Sequence, residues 1–132
     1  MAKILIVDDS ETTRTQLKND LGEGGHQVIE AQNGLQGLSQ LSAHKDVQLI
    51  ICDVNMPEMD GLTMCSKVHE NEAINKIPIL MLTTENGADL KSQGKENGVI
   101  GWLVKPFVGK KLLVGVEKVL ERYPVPSATK TN

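Results

Sequence analysis

Five short apolar runs punctuate the chain, at residues 3–7 (KILIV), 28–31 (VIEA), 47–52 (VQLIIC), 78–82 (PILML) and 100–104 (IGWLV). We number these predicted strands β1 to β5. The first, third and fourth are nearly uninterrupted, as strands covered on both faces are. The second is shorter and carries Glu30, which suits an edge strand. Between the runs, apolar residues recur at helical spacing. Thr13, Leu17 and Leu21 predict a helix α1 across 13–21. Leu35, Leu38 and Leu41 predict α2 across 35–41, and Leu62, Cys65 and Val68 predict α3 across 62–68. Residues 87–98 (GADLKSQGKENG) contain one large apolar residue, Leu90, and an internal Gly94. A weakly anchored helix α4 is expected there, of low local stability and suited to switching between two states. The strongest stripe, Leu112, Leu113, Val116, Val119 and Leu120, predicts α5 across 112–120. Strand and helix alternate five times. That alternation predicts an α/β fold, a parallel sheet with helices on both faces, whose ligands gather beyond the carboxyl ends of the strands.

The residues at those ends carry the chemistry. Asp8 and Asp9 follow β1, Asp53 follows β3, Thr83, Thr84 and Glu85 follow β4, and Lys105 and Pro106 follow β5. Taken singly, each has an ordinary explanation: an acid capping a helix, a turn threonine, a solvated lysine. Their joint placement at four of the five strand ends is what demands another. Three neighbouring carboxylates repel one another, and a divalent cation relieves that repulsion. An all-oxygen donor set favours Mg²⁺, with Mn²⁺ as the alternative hard ion. His26, His44 and His69 fall away from the strand ends and lack the spacing of zinc ligands. A metal alone does not account for an ammonium and a hydroxyl at the same edge. Both donate to anions, so the set suits a phosphoryl group carried on an aspartate.

Composition narrows the classes. The 132 residues bound a single domain, and only 2% are aromatic, so the core is aliphatic. A formal charge of −3 argues against nucleic acid as the main partner. Cys52 and Cys65 are too few for a disulfide framework and read as small buried residues. No run reaches the length of a membrane span, and the acids at 8 and 9 come too early for a secretory signal. A cytoplasmic setting is expected. Residues 1–122 read as one domain, and 123–132 (YPVPSATKTN) as a disordered tail.

The motifs DD at 8–9, DVNMPEMDG at 53–61, LTTE at 82–85 and KPF at 105–107 resemble, in order and over nearly the whole chain, the receiver domains of two-component response regulators, the chemotaxis type in particular. The resemblance implies a flavodoxin-like sheet of order 2-1-3-4-5. It implies that Asp53 accepts a phosphoryl group from a histidine kinase. It further implies that Asp8, Asp9, Asp53 and the backbone carbonyl of Asn55 bind Mg²⁺, that Lys105 pairs with the phosphoryl group, and that Thr83 moves to hydrogen-bond it. Trp102 takes the place of the switch aromatic, and the Lys105–Pro106 peptide is expected cis. Asn55 and Glu85 hold the positions that tune phosphoryl lifetime and match the faster members of the family. Thr84 stands where a smaller residue is usual and is expected to narrow access. The implied output face is α4–β5–α5, here with Lys91, Lys95, Trp102 and Lys118, presented to an effector protein. A phosphatase is a further implied partner. Lys91 and Gly115 depart from the motor-binding pattern of the family. Residues 1–66 carry 4 basic and 10 acidic residues, a net of −6; residues 67–132 carry 10 basic and 7 acidic, a net of +3. An acidic site and a more basic partner surface follow.

The resulting expectation is a monomeric, stand-alone, non-enzymatic phosphorylation switch in chemotaxis or motility. A phosphate sink for a shared kinase and a phosphorylation-independent docking protein are the alternatives. A phosphatase of the haloacid-dehalogenase type needs a proton-transferring acid two residues after the nucleophile, where this chain has Asn55. A flavin or nucleotide carrier needs a phosphate-welcoming loop after β1, where this chain has two carboxylates.

Overall fold

The computed structural model describes residues 2–84, 95 and 98–124. Five strands, β1 (Lys3–Val7), β2 (Gln27–Ala31), β3 (Val47–Asp53), β4 (Ile79–Thr83) and β5 (Val99–Val104), form one parallel sheet in the order β2-β1-β3-β4-β5. The described helices are α1 (Glu11–Glu23), α2 (Gly34–Ala43), α3 (Gly61–Glu70) and α5 (Gly109–Arg122). Of the expected α4, only Lys95 and Gly98 are among the described residues, and residues 125–132 of the expected tail lie outside them.

The sheet has a core on each face. Leu5, Val7, Ile50, Cys52 and Met81 pack with residues of α2 and α3 on one side. Ile4, Ile6, Leu49, Ile51, Leu80 and Leu82 pack with residues of α1 and α5 on the other. This explains the unbroken apolar runs: alternate residues of β1, β3 and β4 are needed in both cores. The strand with Glu30 is an edge strand, as its shorter run predicts, and β5 forms the other edge.

Two helix faces differ from the apolar pattern. On α1 the buried residues are Arg14, Leu17 and Leu21, while Thr13 is only half-buried. The arginine is buried because it finds polar partners, described below. On α2 the buried residues are Gly34, Gly37 and Leu41; Leu38 is half-buried and Leu35 is 49% exposed. A Cβ at Gly34 would crowd the Met59 side chain and carbonyl, and one at Gly37 would crowd Met64 and Val7. The helix thus lies with its glycines against its neighbours, and the Leu35 side of the cylinder turns outward.

The starts of α1, α2 and α3 are fixed by short polar side chains, which accept the orphan backbone N–H groups of the first turn. Ser10 accepts from Thr13, Asn33 from Gln36 and Asp60 from Thr63. The cap of α1 is therefore Ser10, which leaves the carboxylates of Asp8 and Asp9 for other work.

Candidate functional site

Parallel pairing brings the strand ends to one edge. Val7 is the register partner of Ala31 and Cys52, Asp53 of Leu82, and Thr83 of Val104. One carboxylate oxygen each from Asp8, Asp9 and Asp53 lie within 4.8 Å of one another. Asp8 and Asp53 are buried and Asp9 is exposed, so the cluster opens on the Asp9 side.

Asp8 is held at every polar atom. Its N–H donates to the Ala31 carbonyl at 3.0 Å. Its Oδ1 accepts from the Ser10 N–H at 2.8 Å, and its Oδ2 accepts from Lys105 Nζ at 3.1 Å. Its backbone carbonyl accepts from Arg14 Nη1 at 2.7 Å. Lys105 Nζ is also 3.5 Å from Asp53 Oδ1. The Lys105 backbone is tied in by its N–H, which donates to the Thr83 carbonyl at 2.8 Å, and the Lys105–Pro106 peptide is cis as expected.

Burial raises the pKa of Asp53 above the ordinary carboxylate value, and the neighbouring Asp8 adds to the rise, while Lys105 opposes it. An ammonium and a hard divalent ion are the two kinds of charge that relieve such a site. The donor set consists of carboxylate oxygens only, so it fits Mg²⁺ or a similar ion. His26 stands apart: buried, it accepts the Ala2 N–H at Nδ1 and is hydrogen-bonded through Nε2 to Glu117 at 2.7 Å. Cys52 and Cys65 are both buried, as expected. The Cys52 thiol is pushed up in pKa by its hydrogen bond with Cys65 and by burial.

The other sequence-derived residues fall as follows. Thr83 is buried at the end of β4, beside the cluster in chain connectivity and register. Asn55 and Thr84 are exposed at the rim. Trp102 is half-buried on β5, paired with Met81 and packed against the core on the α2–α3 side. Lys95 and Lys118 are exposed. Glu85 and Lys91 lie outside the described residues.

Two contributors escape a reading of the sequence. Gly61 opens α3, where a Cβ would overlap the Asp53 carbonyl oxygen; its N–H donates to the Val54 carbonyl at 2.8 Å. The motif ending at Gly61 signals it, though not its reason. Arg14 is the other, and nothing in the local pattern distinguishes it from a surface arginine.

Known proteins share this sequence pattern and fold. The response regulator receiver domain family matches residues 4–117. The chemotaxis protein CheY1 of Helicobacter pylori is 40% identical over 119 residues, covering 89% of this chain and 96% of that protein. The chemotaxis protein CheY homolog of Campylobacter jejuni is 40% identical over 119 residues, covering 89% and 92%. The solved structure of Vibrio cholerae chemotaxis protein CheY4 superposes with a TM-score of 0.86 at 40% identity, covering 91% of this chain and 99% of that one. A match across this much of the chain makes it a member of the response regulator receiver family, of the chemotaxis type.

Proposed function

We propose that this chain is a phosphorylation switch whose phosphoacceptor is Asp53. The observation that carries the reading is Lys105, whose ammonium lies 3.1 Å from Asp8 and 3.5 Å from Asp53 at the mouth of a three-carboxylate cluster. A mere metal site gains nothing from a competing cation. A site that must receive a dianionic phosphoryl group gains a great deal.

Asp8, Asp9 and Asp53, with the backbone carbonyl of Asn55, would hold Mg²⁺ or Mn²⁺. The bound ion supplies positive charge against the carboxylates and the equatorial phosphoryl oxygens. The chain's own groups do the rest. An Asp53 carboxylate oxygen attacks the phosphorus of a kinase phosphohistidine; the P–O bond forms as the P–N bond breaks, and the imidazole nitrogen leaves with the electron pair. Positioning and charge neutralisation are the main sources of rate in such a transfer. Lys105 shifts its ammonium to a phosphoryl oxygen, and the Thr83 hydroxyl donates to another. Trp102 follows that movement, and the α4–β5–α5 face, with Lys91, Lys95 and Lys118, changes the surface it offers an effector. Water later attacks the phosphorus, releasing inorganic phosphate and restoring the carboxylate; Asn55 and Glu85 favour a short lifetime. The chain acts on no substrate but its own phosphoryl group. The likeness to chemotaxis proteins favours a role in chemotaxis or motility in the cytoplasm.

Acetyl phosphate with Mg²⁺ tests this directly. Intact mass should show a transient gain of one phosphoryl group, abolished in Asp53→Asn and by chelator. No gain from acetyl phosphate or from a competent histidine kinase would overturn the proposal in favour of a docking protein.

A further inference from the structure

Arg14 is the one arginine buried among the described residues, 8% exposed on the inner side of α1. Its guanidinium works in two directions at once. Nη1 donates to the backbone carbonyl of Asp8 at 2.7 Å, and Nε donates to Glu30 Oε1 on the edge strand at 3.1 Å. Glu30 is itself restrained: Lys18 Nζ lies 3.5 Å from its Oε2, and Gln40 Nε2 donates to its carbonyl at 2.8 Å. A chain of polar contacts therefore runs from the edge strand, through Arg14, to the backbone of the residue that opens the carboxylate cluster.

We infer that Arg14 is a positioning residue for the metal site, with Glu30 as its anchor. This rests on the reading of the acidic cluster as a divalent-cation site. A carboxylate can hold an ion well only if the backbone that carries it is fixed, and groups behind the ligands typically set metal affinity by an order of magnitude or more. Asp8 follows directly on β1, and the ladder stops after its N–H bond to Ala31. Without Arg14 the Asp8 carbonyl loses the hydrogen bond that braces the turn into Ser10, and the backbone carrying the Asp8–Asp9 pair is held less firmly. Only arginine reaches both partners: its planar fork spans a carbonyl and a carboxylate, whereas lysine offers one point charge.

Charge and position predict opposite signs here. Arg14 is a cation near a cation site, so its removal by electrostatics alone would tighten divalent binding. Loss of positioning would weaken it. The experiment counts free Mn²⁺ by electron paramagnetic resonance in titrations of the full chain, comparing wild type with Arg14→Met, Arg14→Lys and Glu30→Gln. Each protein is first melted in chelator, so that affinity is read where all are folded. Arg14→Met and Arg14→Lys should both bind Mn²⁺ about tenfold more weakly, with Glu30→Gln weakened less. Unchanged or tighter binding in both Arg14 variants would overturn the inference. If Arg14→Met does not fold, Arg14→Lys and Glu30→Gln decide the matter in the same way. A wild type that binds no Mn²⁺ would instead overturn the cation-site reading itself.

Discussion

Asp53 sits where burial and the neighbouring carboxylates both oppose its ionised form. Burial comes first and Asp8 second, and Lys105 only partly offsets them. A carboxylate whose folded-state pKa is raised destabilises the fold as pH climbs through the window from its ordinary value to the raised one. Below that window the proton is bound in both states and nothing is lost. Asp53→Asn should therefore melt like the wild type at the acid end. Above the ordinary carboxylate range, in chelator, it should melt higher. Melting curves across pH check the sign: a variant equal to or below the wild type at neutral pH would contradict it. Gly61 makes the opposite prediction. A methyl there meets the Asp53 carbonyl, a backbone atom that cannot yield as a flexible side chain can. Gly61→Ala should cost about 2–3 kcal/mol in chemical denaturation, and it should also disturb Asp53. The acids and Lys105 were legible in the sequence because each follows an apolar run, and strand ends of a parallel sheet share an edge. Arg14 was not. Its burial depends on Glu30 and on the Asp8 carbonyl, partners supplied by pairing of β1 with β2.

At the scale of elements, strands were easier to read than helix faces. A strand buried on both sides needs every residue apolar, so β1, β3 and β4 announce themselves. A helix can instead be drawn close by residues that contribute no apolar signal. In α2 the glycines make the contact and Leu35 faces solvent, so the stripe of leucines misplaced the buried face by part of a turn. The two glycines differ in what they meet. Gly34 faces the Met59 carbonyl as well as its side chain, and its N–H donates to that carbonyl at 3.1 Å. Gly37 faces the flexible end of Met64 and one methyl of Val7. Gly34→Ala should lose about 1–3 kcal/mol by overpacking. Gly37→Ala should come out near neutral, since the thioether can move and alanine gains about 1 kcal/mol of helix propensity. Equal losses in the two, measured by urea denaturation, would refute the distinction. The site depends on this contact, because Met59 lies in the loop between Asp53 and α3.

For the molecule as a whole, the strand order is what turns sequence-distant acids into one centre. Since β1 lies between β2 and β3, the ends of β1 and β3 are neighbours, and Asp8 and Asp53 are thrown together however they repel. The fold must carry an internal counterion to tolerate this without metal, and Lys105, arriving from the far strand β5, is that counterion. Its position then makes it a competitor of any divalent ion. Lys105→Met should lower the metal-free stability by roughly 1–3 kcal/mol for a lost hydrogen bond to a buried carboxylate, and the midpoint with it. The same variant should bind Mg²⁺ more tightly. Ligand-linked stabilisation grows as RT ln(1 + [L]/Kd), reaching about 2.7 kcal/mol at a hundredfold excess over Kd. The Mg²⁺-induced rise in melting temperature should thus be larger in Lys105→Met than in the wild type, and the gap between the two should narrow as Mg²⁺ is raised. Melting at a series of Mg²⁺ concentrations separates the outcomes, and a parallel displacement that never narrows would show Lys105 to be a packing residue rather than a counterion. Lys105→Met and Arg14→Met each delete one positive charge beside the same cluster. Tighter binding in the first and weaker in the second would show that charge acts through the ammonium and geometry through the guanidinium.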